Sequence, residues 1–254
     1  MKLNETFILI NKGRIAESPE WAESHAAINN AISAMAWKAG GTSFTIPRIV
    51  TVKVGEAYIG NRGKQVKVKK NPVTLRNGVR PLRDAFRSLM QTGWKCEEPL
   101  KLDAYFRTLR ANPGGGRILK YTSFEEPSEP LHESLGNFDF WICSGKGFKT
   151  VVEWETGNIS SSHRSLNKMC LALLGGLVDA AVLVVPSAKL YVHLTDRIGN
   201  VKELQPYFYF WNSVGQLVEH GLLAVAEVEY DAIFESKDLR DFIPRGKDGN
   251  SRSR

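Results

Sequence analysis

Cysteine is scarce in this chain, with three in 254 residues at positions 96, 143 and 170. No CxxC pair occurs and no histidines stand at matching spacing, which excludes a disulfide framework and a zinc site; Cys96, Cys143 and Cys170 read as buried thiols. A long apolar run is also missing. The stretches at 171–185 and 222–228 are interrupted by Gly175, Gly176 and Asp179 or fall far short of the ~20 residues a bilayer needs. The short apolar run Phe7 to Ile10 is followed by no small-residue cleavage site, so it reads as a first strand or helix rather than a secretion signal. These absences predict a cytoplasmic protein with no membrane partner. There is no low-complexity linker and no internal repeat, and 43% hydrophobic residues rule out a disordered or fibrous chain. The expectation is one α/β domain over 1–254 with a mobile basic tail at 244–254.

The formal charge of +7 is not evenly spread. Between Ala57 and Arg83 stand eight basic residues, Arg62, Lys64, Lys67, Lys69, Lys70, Arg76, Arg80 and Arg83, and no acid, so this stretch alone exceeds the net charge of the whole chain. A focused patch of that kind attracts a polyanion, nucleic acid being the usual one; a solvated hairpin kept soluble by lysine is the bland alternative.

Ser18-Pro19 opens a helix that Gly40-Gly41 stops. Residues 43–54 and 65–68 alternate and read as a basic hairpin, and a second helix carries Leu82, Phe86 and Leu89. Strands are predicted at 100–109 and 117–122. The centre then reads strand (138–143), turn (144–147), strand (149–155), helix (162–174), strand (178–185), an alternation that predicts a mixed β-sheet with crossover helices. Residues 187–194 read as helical. Asn200 opens a further helix, with Glu203 in capping-box position and Pro206 shortening it, and 222–230 reads as a late strand.

Three acids stand in apolar strands, where a charge is costly without a partner: Asp139 in Phe138-Asp139-Phe140-Trp141, and Glu153 and Glu155 in Val151-Val152-Glu153-Trp154-Glu155. Strand side chains alternate, so Glu153 and Glu155 share a face. With Asp139 on the neighbouring strand, three carboxylates converge, a hard-oxygen set suited to Mg²⁺ and phosphate chemistry. The competing reading puts the two glutamates on the solvent face of a half-buried strand. An acid, a turn and then Glu-x-Glu is the layout of metal-dependent nucleases with the restriction-endonuclease-like core. Directly after Glu155 comes the polar run Thr156 to Arg164, ending at a helix start. There Asn158, Ser160 and Arg164 can reach base edges, while Asp196 and Arg197 together suit a G·C pair. An ordinary helix cap and a local ion pair would explain the same residues.

The segment from Glu153 through Thr156, Ser160, His163 and Arg164 to Lys168, with Leu194-Thr195-Asp196-Arg197 and Glu203 to Phe208, closely resembles the BamHI family of type II restriction endonucleases. Fainter likenesses occur at Phe44-Thr45-Ile46, Asn77-Gly78-Val79, Trp94 to Pro99 and Ile243 to Gly249. The resemblance implies a homodimeric, Mg²⁺-dependent phosphodiesterase with a restriction-endonuclease-like core, cutting double-stranded DNA at GGATCC after the first G. A protecting DNA methyltransferase is implied in the host. Carried over, Asp139 and Glu153 are metal ligands, Glu155 is the general base where many related nucleases have lysine, and Glu97 is an auxiliary acid. Asn158, Ser160, Arg164, Asp196 and Arg197 contact bases. Departures from the family are additions near 49–75 and 103–135, the first holding most of the basic patch. Arg62, Lys64, Lys67, Lys69 and Lys70 there become candidates for extra phosphate contacts. Leu173-Leu174-Gly175-Gly176 is more apolar than the family's helix end. A DNA-binding protein without cleavage, and a nuclease with another site, stay open.

Overall fold

A six-stranded sheet organises the chain, its strands in the order β1 (Lys2–Lys12), β11 (Gly221–Glu229), β10 (Ala180–Pro186), β9 (Lys149–Trp154), β8 (Phe140–Cys143), β7 (Lys95–Cys96). The computed structural model describes residues 1–38, 41–90, 94–96, 137–144, 146–195 and 198–245. β9, β10 and β11 run parallel, and β1, β8 and β7 are antiparallel to their neighbours. The mixed sheet expected from the sequence is therefore present. The predicted strands at 100–109 and 117–122, the tail beyond 245, Glu97, Asp196 and Arg197 lie outside the described residues.

The central strands are apolar at nearly every position because both faces are covered. Val152, Trp154, Val182, Val184, Ala224 and Ala226 face one core with Trp21, Ile28 and Ile32 of α1 (Pro19–Ala34) and Leu82 and Phe86 of α2 (Arg80–Leu89). Their alternates Val151, Ala181, Leu183, Leu223 and Val225 face a second core. It is filled by Leu166, Met169 and Leu173 of α3 (Ile159–Leu174), Val201 and Leu204 of α5 (Val201–Leu204), and Trp211 of α6 (Phe208–Val214). Each fully enclosed aliphatic side chain contributes about 1.5–3 kcal/mol, so a charge at Leu183 would break the layer. α3 and α6 are fastened by His163, whose ring lies 4.5 Å from that of Tyr207 and 5.3 Å from that of Trp211, and by the Trp211 indole donating to Asn167 Oδ1 at 3.0 Å. No described helix is long and apolar enough to cross a membrane.

Several boundaries differ from the sequence reading. The expected hairpin of 43–54 with 65–68 is instead β2 (Thr45–Pro47), β3 (Val50–Val52) paired with β6 (Val73–Leu75), and β4 (Ala57–Ile59) paired with β5 (Gln65–Lys67). Gly55, at φ +89°, turns the chain after β3, and the pairing is redistributed around Val52, Val68, Leu75 and Phe242. β2 is covered by β12 (Ala232–Phe234). Only Ala188–Tyr191, labelled α4, is helical within 187–194. Asn200 caps the helix as expected, its side chain accepting from the Glu203 amide; the Glu203 carboxylate answers by accepting from the Asn200 side-chain amide at 2.7 Å, in place of the backbone amide of a full capping box. Pro206 sits in the single 3-10 turn Gln205–Tyr207 before α6. Cys170 is buried, but Cys143, last in β8 before the turn, is exposed, contrary to expectation.

Candidate active site

The loop entering β8 and the end of β9 bring the acids together. Asp139 lies one residue before β8, and its Oδ2 accepts the Trp154 backbone amide at 3.0 Å, which stitches it to β9. Glu153, on the α3 face of β9, comes within hydrogen-bonding contact of Asp139. Glu153 is 9% exposed and Glu155 5%, so the solvent-face alternative fails for both. Burial pushes the Glu153 carboxyl up to about 7; the Lys168 ammonium opposes the rise and the Asp139 carboxylate adds to it.

Glu155 stands just past β9, its amide still bonded to the Val184 carbonyl at 3.0 Å. Its side chain turns back to accept the Gly157 amide at 2.5 Å. Burial raises its carboxyl, against the Ser162 hydroxyl and the Gly157 and Thr156 amides, which favour the charged form. Its other oxygen, Oε2, is buried with no hydrogen-bond partner among the described residues. Gly157 is required: a Cβ there would sit 2.4 Å from Ser161 Oγ and 3.2 Å from the Glu155 carboxylate.

The expected convergence of three carboxylates is corrected in one respect. Among the described residues no three of His, Cys, Asp and Glu gather closely enough to hold a metal. Because Glu155 is drawn back onto its own turn, the set is the pair Asp139 and Glu153. The pair nevertheless fits Mg²⁺, which usually takes one or two carboxylates with water and phosphate completing its shell. A buried carboxyl that a second hard-oxygen acid pushes further up also forms a site a dication relieves.

Beyond Glu155, Asn158 caps α3, its side chain accepting the Ser161 amide at 3.2 Å. The helix therefore begins before the predicted Ser162, which is instead wholly buried, with Gly199 packed against its hydroxyl. Asn158, Ser160 and Arg164 are all exposed around this helix start. Ile198 bridges to Asn158, and the Thr195 amide donates to the Asn77 carbonyl at 2.6 Å, so the chain on either side of residues 196–197 is anchored beside the site. Arg62, Lys64, Lys67, Lys69 and Lys70 are exposed on the β4–β5 hairpin and the segment after it, 62 and 64 lying in the hairpin's turn.

Sequence reasoning missed two residues. Buried Lys168 of α3 pairs with Glu153; its one sequence signal was a lysine directly before the apolar run Met169 to Leu174. Buried Asn77 donates to the carbonyls of Pro47 and His193 and accepts the Ile243 amide, joining three distant segments.

An acid pair at the end of a strand–turn–strand unit, with a helix beginning directly behind it, on a mixed sheet whose parallel strands are joined by helices, defines a DNA-cleaving hydrolase with the restriction-endonuclease core. Comparison with known proteins carries this to a family. The restriction endonuclease BamHI family matches residues 1–250. Type II restriction enzyme OkrAI of Oceanobacter kriegii is 32% identical over 252 residues, 99% of each chain. Type II restriction enzyme BamHI of Bacillus amyloliquefaciens is 33% identical over 179 residues, 69% of this chain and 68% of that one. Among solved structures, restriction endonuclease BglII complexed with a DNA 16-mer superposes with a TM-score of 0.52 at 11% identity, over 91% of this chain and 79% of that one, a likeness of fold alone. The chain belongs to the BamHI family of type II restriction endonucleases.

Proposed function

We propose that the chain is a Mg²⁺-dependent homodimer that hydrolyses both strands of GGATCC after the first G. The observation that carries this reading is the adjacency of the Asp139–Glu153 pair to the exposed Asn158, Ser160 and Arg164 on the unit that follows it. A palindrome presents two equal half-sites, which suits a two-fold dimer.

Asp139 and Glu153 hold the ion, which when bound supplies Lewis acidity toward the phosphate and a more acidic water. Glu155, its carboxyl raised by burial, takes the proton of the attacking water. The water oxygen bonds to phosphorus and the P–O3′ bond breaks, leaving a 5′-phosphate and a 3′-hydroxyl protonated from solvent. Glu97 is assigned an auxiliary role. Asn158, Ser160, Arg164, Asp196 and Arg197 read bases, while Arg62, Lys64, Lys67, Lys69 and Lys70 of the added segment contact flanking phosphates. A host DNA methyltransferase protects the same sequence, and the enzyme works in the cytoplasm.

The test is digestion of DNA of known sequence with Mg²⁺, an EDTA control, and sequencing of the ends. Cuts at GGATCC alone support the reading, and the Glu153→Ala variant is expected to bind that site without cutting. Cuts elsewhere would move the target sequence while leaving the acids in place. Metal-independent cutting, or turnover by Glu153→Ala equal to that of the unaltered chain, would overturn the acid assignment.

A further inference from the structure

Lysine is almost never enclosed unless paired, and Lys168 is enclosed in the middle of α3, 7% exposed. Its ammonium donates to the Glu153 carboxylate and, at 2.8 Å, to the carbonyl of Asn137, and it lies 4.3 Å from the centre of the Phe138 ring. Asn137 and Phe138 immediately precede Asp139. One cation therefore grips both chain segments that carry the acid pair: Glu153 directly, and the segment leading into Asp139 through its backbone and ring.

The same helix carries the exposed residues toward its N-terminal end. Ser160, Arg164 and Lys168 recur every four residues and form one row along α3. The row starts at the exposed helix start and ends at the acids, about 12 Å away at 1.5 Å rise per residue. A helix held by Leu166, Met169 and Leu173 in the core moves as a unit, so a displacement of its first turn reaches the Lys168 ammonium.

We propose that Lys168 is a positioning residue that makes the placing of the Asp139–Glu153 pair conditional on base recognition at the start of α3. This rests on the reading of those acids as metal ligands and of Asn158, Ser160 and Arg164 as base-contacting. With the correct bases engaged, α3 is seated and Lys168 sets the spacing of the acids. With a wrong base the first turn shifts and the acids shift with it, and a misplacement of about 1 Å costs on the order of 10²-fold in rate.

The test compares the unaltered chain with Lys168→Met and Lys168→Arg on a duplex carrying the site that the unaltered chain cuts, and on duplexes with one base pair of that site replaced. Affinity is read by fluorescence anisotropy with Ca²⁺ in place of Mg²⁺, and cleavage by single-turnover rates with Mg²⁺. Lys168→Met is expected to bind the correct duplex within about threefold of the unaltered chain and to preserve its binding preference. It cuts that duplex on the order of 10²-fold slower, and its ratio of correct to substituted cleavage rates narrows by about tenfold or more. Lys168→Arg, which keeps the cation, recovers part of both. An unchanged cleavage ratio overturns the proposal, as does lost affinity in a variant whose circular dichroism is intact. If Lys168→Met fails to fold or cuts nothing, the Lys168→Arg ratio decides: narrowed supports, unchanged overturns. An unaltered chain that cuts no DNA overturns the reading beneath the proposal as well, whereas one that cuts while the variants keep its ratio overturns the proposal alone.

Discussion

Glu153 holds a charge under strain of environment, enclosed by the core and set beside Asp139, with Lys168 as its counterweight. A carboxyl whose folded pKa lies near 7 against an ordinary 4.5 favours its protonated form in the folded state. Its contribution to stability is therefore complete below about 4.5 and is lost as pH rises through 7. In EDTA, the melting temperature of the unaltered chain is expected to fall relative to Glu153→Gln, by a few degrees, between pH 5 and pH 8. Calorimetric melts across that range check it, and parallel curves for the two proteins would refute the shift. Because a dication competes with the proton for the same oxygens, metal affinity should climb over the same interval. Cys170 is enclosed, and burial pushes its thiol up to about 12, which disfavours the reactive thiolate.

At the level of the element, the residue that caps α3 does two jobs. Asn158 caps the helix through Oδ1, and its exposed side chain belongs to the surface assigned to bases. Substitution can separate these. Asn158→Ala should cost about 1 kcal/mol of stability, whereas Asn158→Asp keeps a good cap and instead sets a negative charge against phosphate. The expectation is an unchanged melting temperature for Asn158→Asp with affinity for the cut site down at least tenfold; denaturant melts and anisotropy titrations check the two halves. Much of this unit was legible in sequence: the strand–turn–strand–helix–strand order and the Asn200 cap follow from local periodicity and cap chemistry, whereas the turning of Glu155 back onto the Gly157 amide does not. The β3–β6 pairing was not, because it depends on a turn at Gly55 and on Phe242, nearly two hundred residues away. Nor was the Lys168–Glu153 pair, since a lysine in a helix reads equally well as a solvated stripe until the opposing strand is placed. Asn77 was legible as part of a family likeness, but its bonds join chain segments that only tertiary structure brings together.

For the molecule as a whole, charge is segregated from chemistry. The acids sit at the core's edge, while Arg62, Lys64, Lys67, Lys69 and Lys70 stand exposed on a small satellite with its own apolar centre. Affinity that comes from phosphate contacts is salt-dependent, each contact adding about 0.9 to the slope of log affinity against log salt. Replacing Lys64, Lys67, Lys69 and Lys70 by alanine should lower that slope by about 3 to 4 per protomer bound to DNA and leave the preference for the cut site over substituted sites unchanged. Titrations between low and moderate salt check it; an altered preference would place those lysines among the base-reading groups instead.

β1 and β11 give the architecture a temporal property as well. Lys2 pairs with Glu229 and Lys12 with Gly221, so β1 waits for a strand more than two hundred residues further along the chain before it has this neighbour. Contacts so distant along the chain close slowly. The parallel strands that follow the acids likewise lean on β11. An emerging chain thus lacks its finished sheet until β11 has left the ribosome, and β10, which flanks the strand carrying Glu153, gains its last neighbour only then.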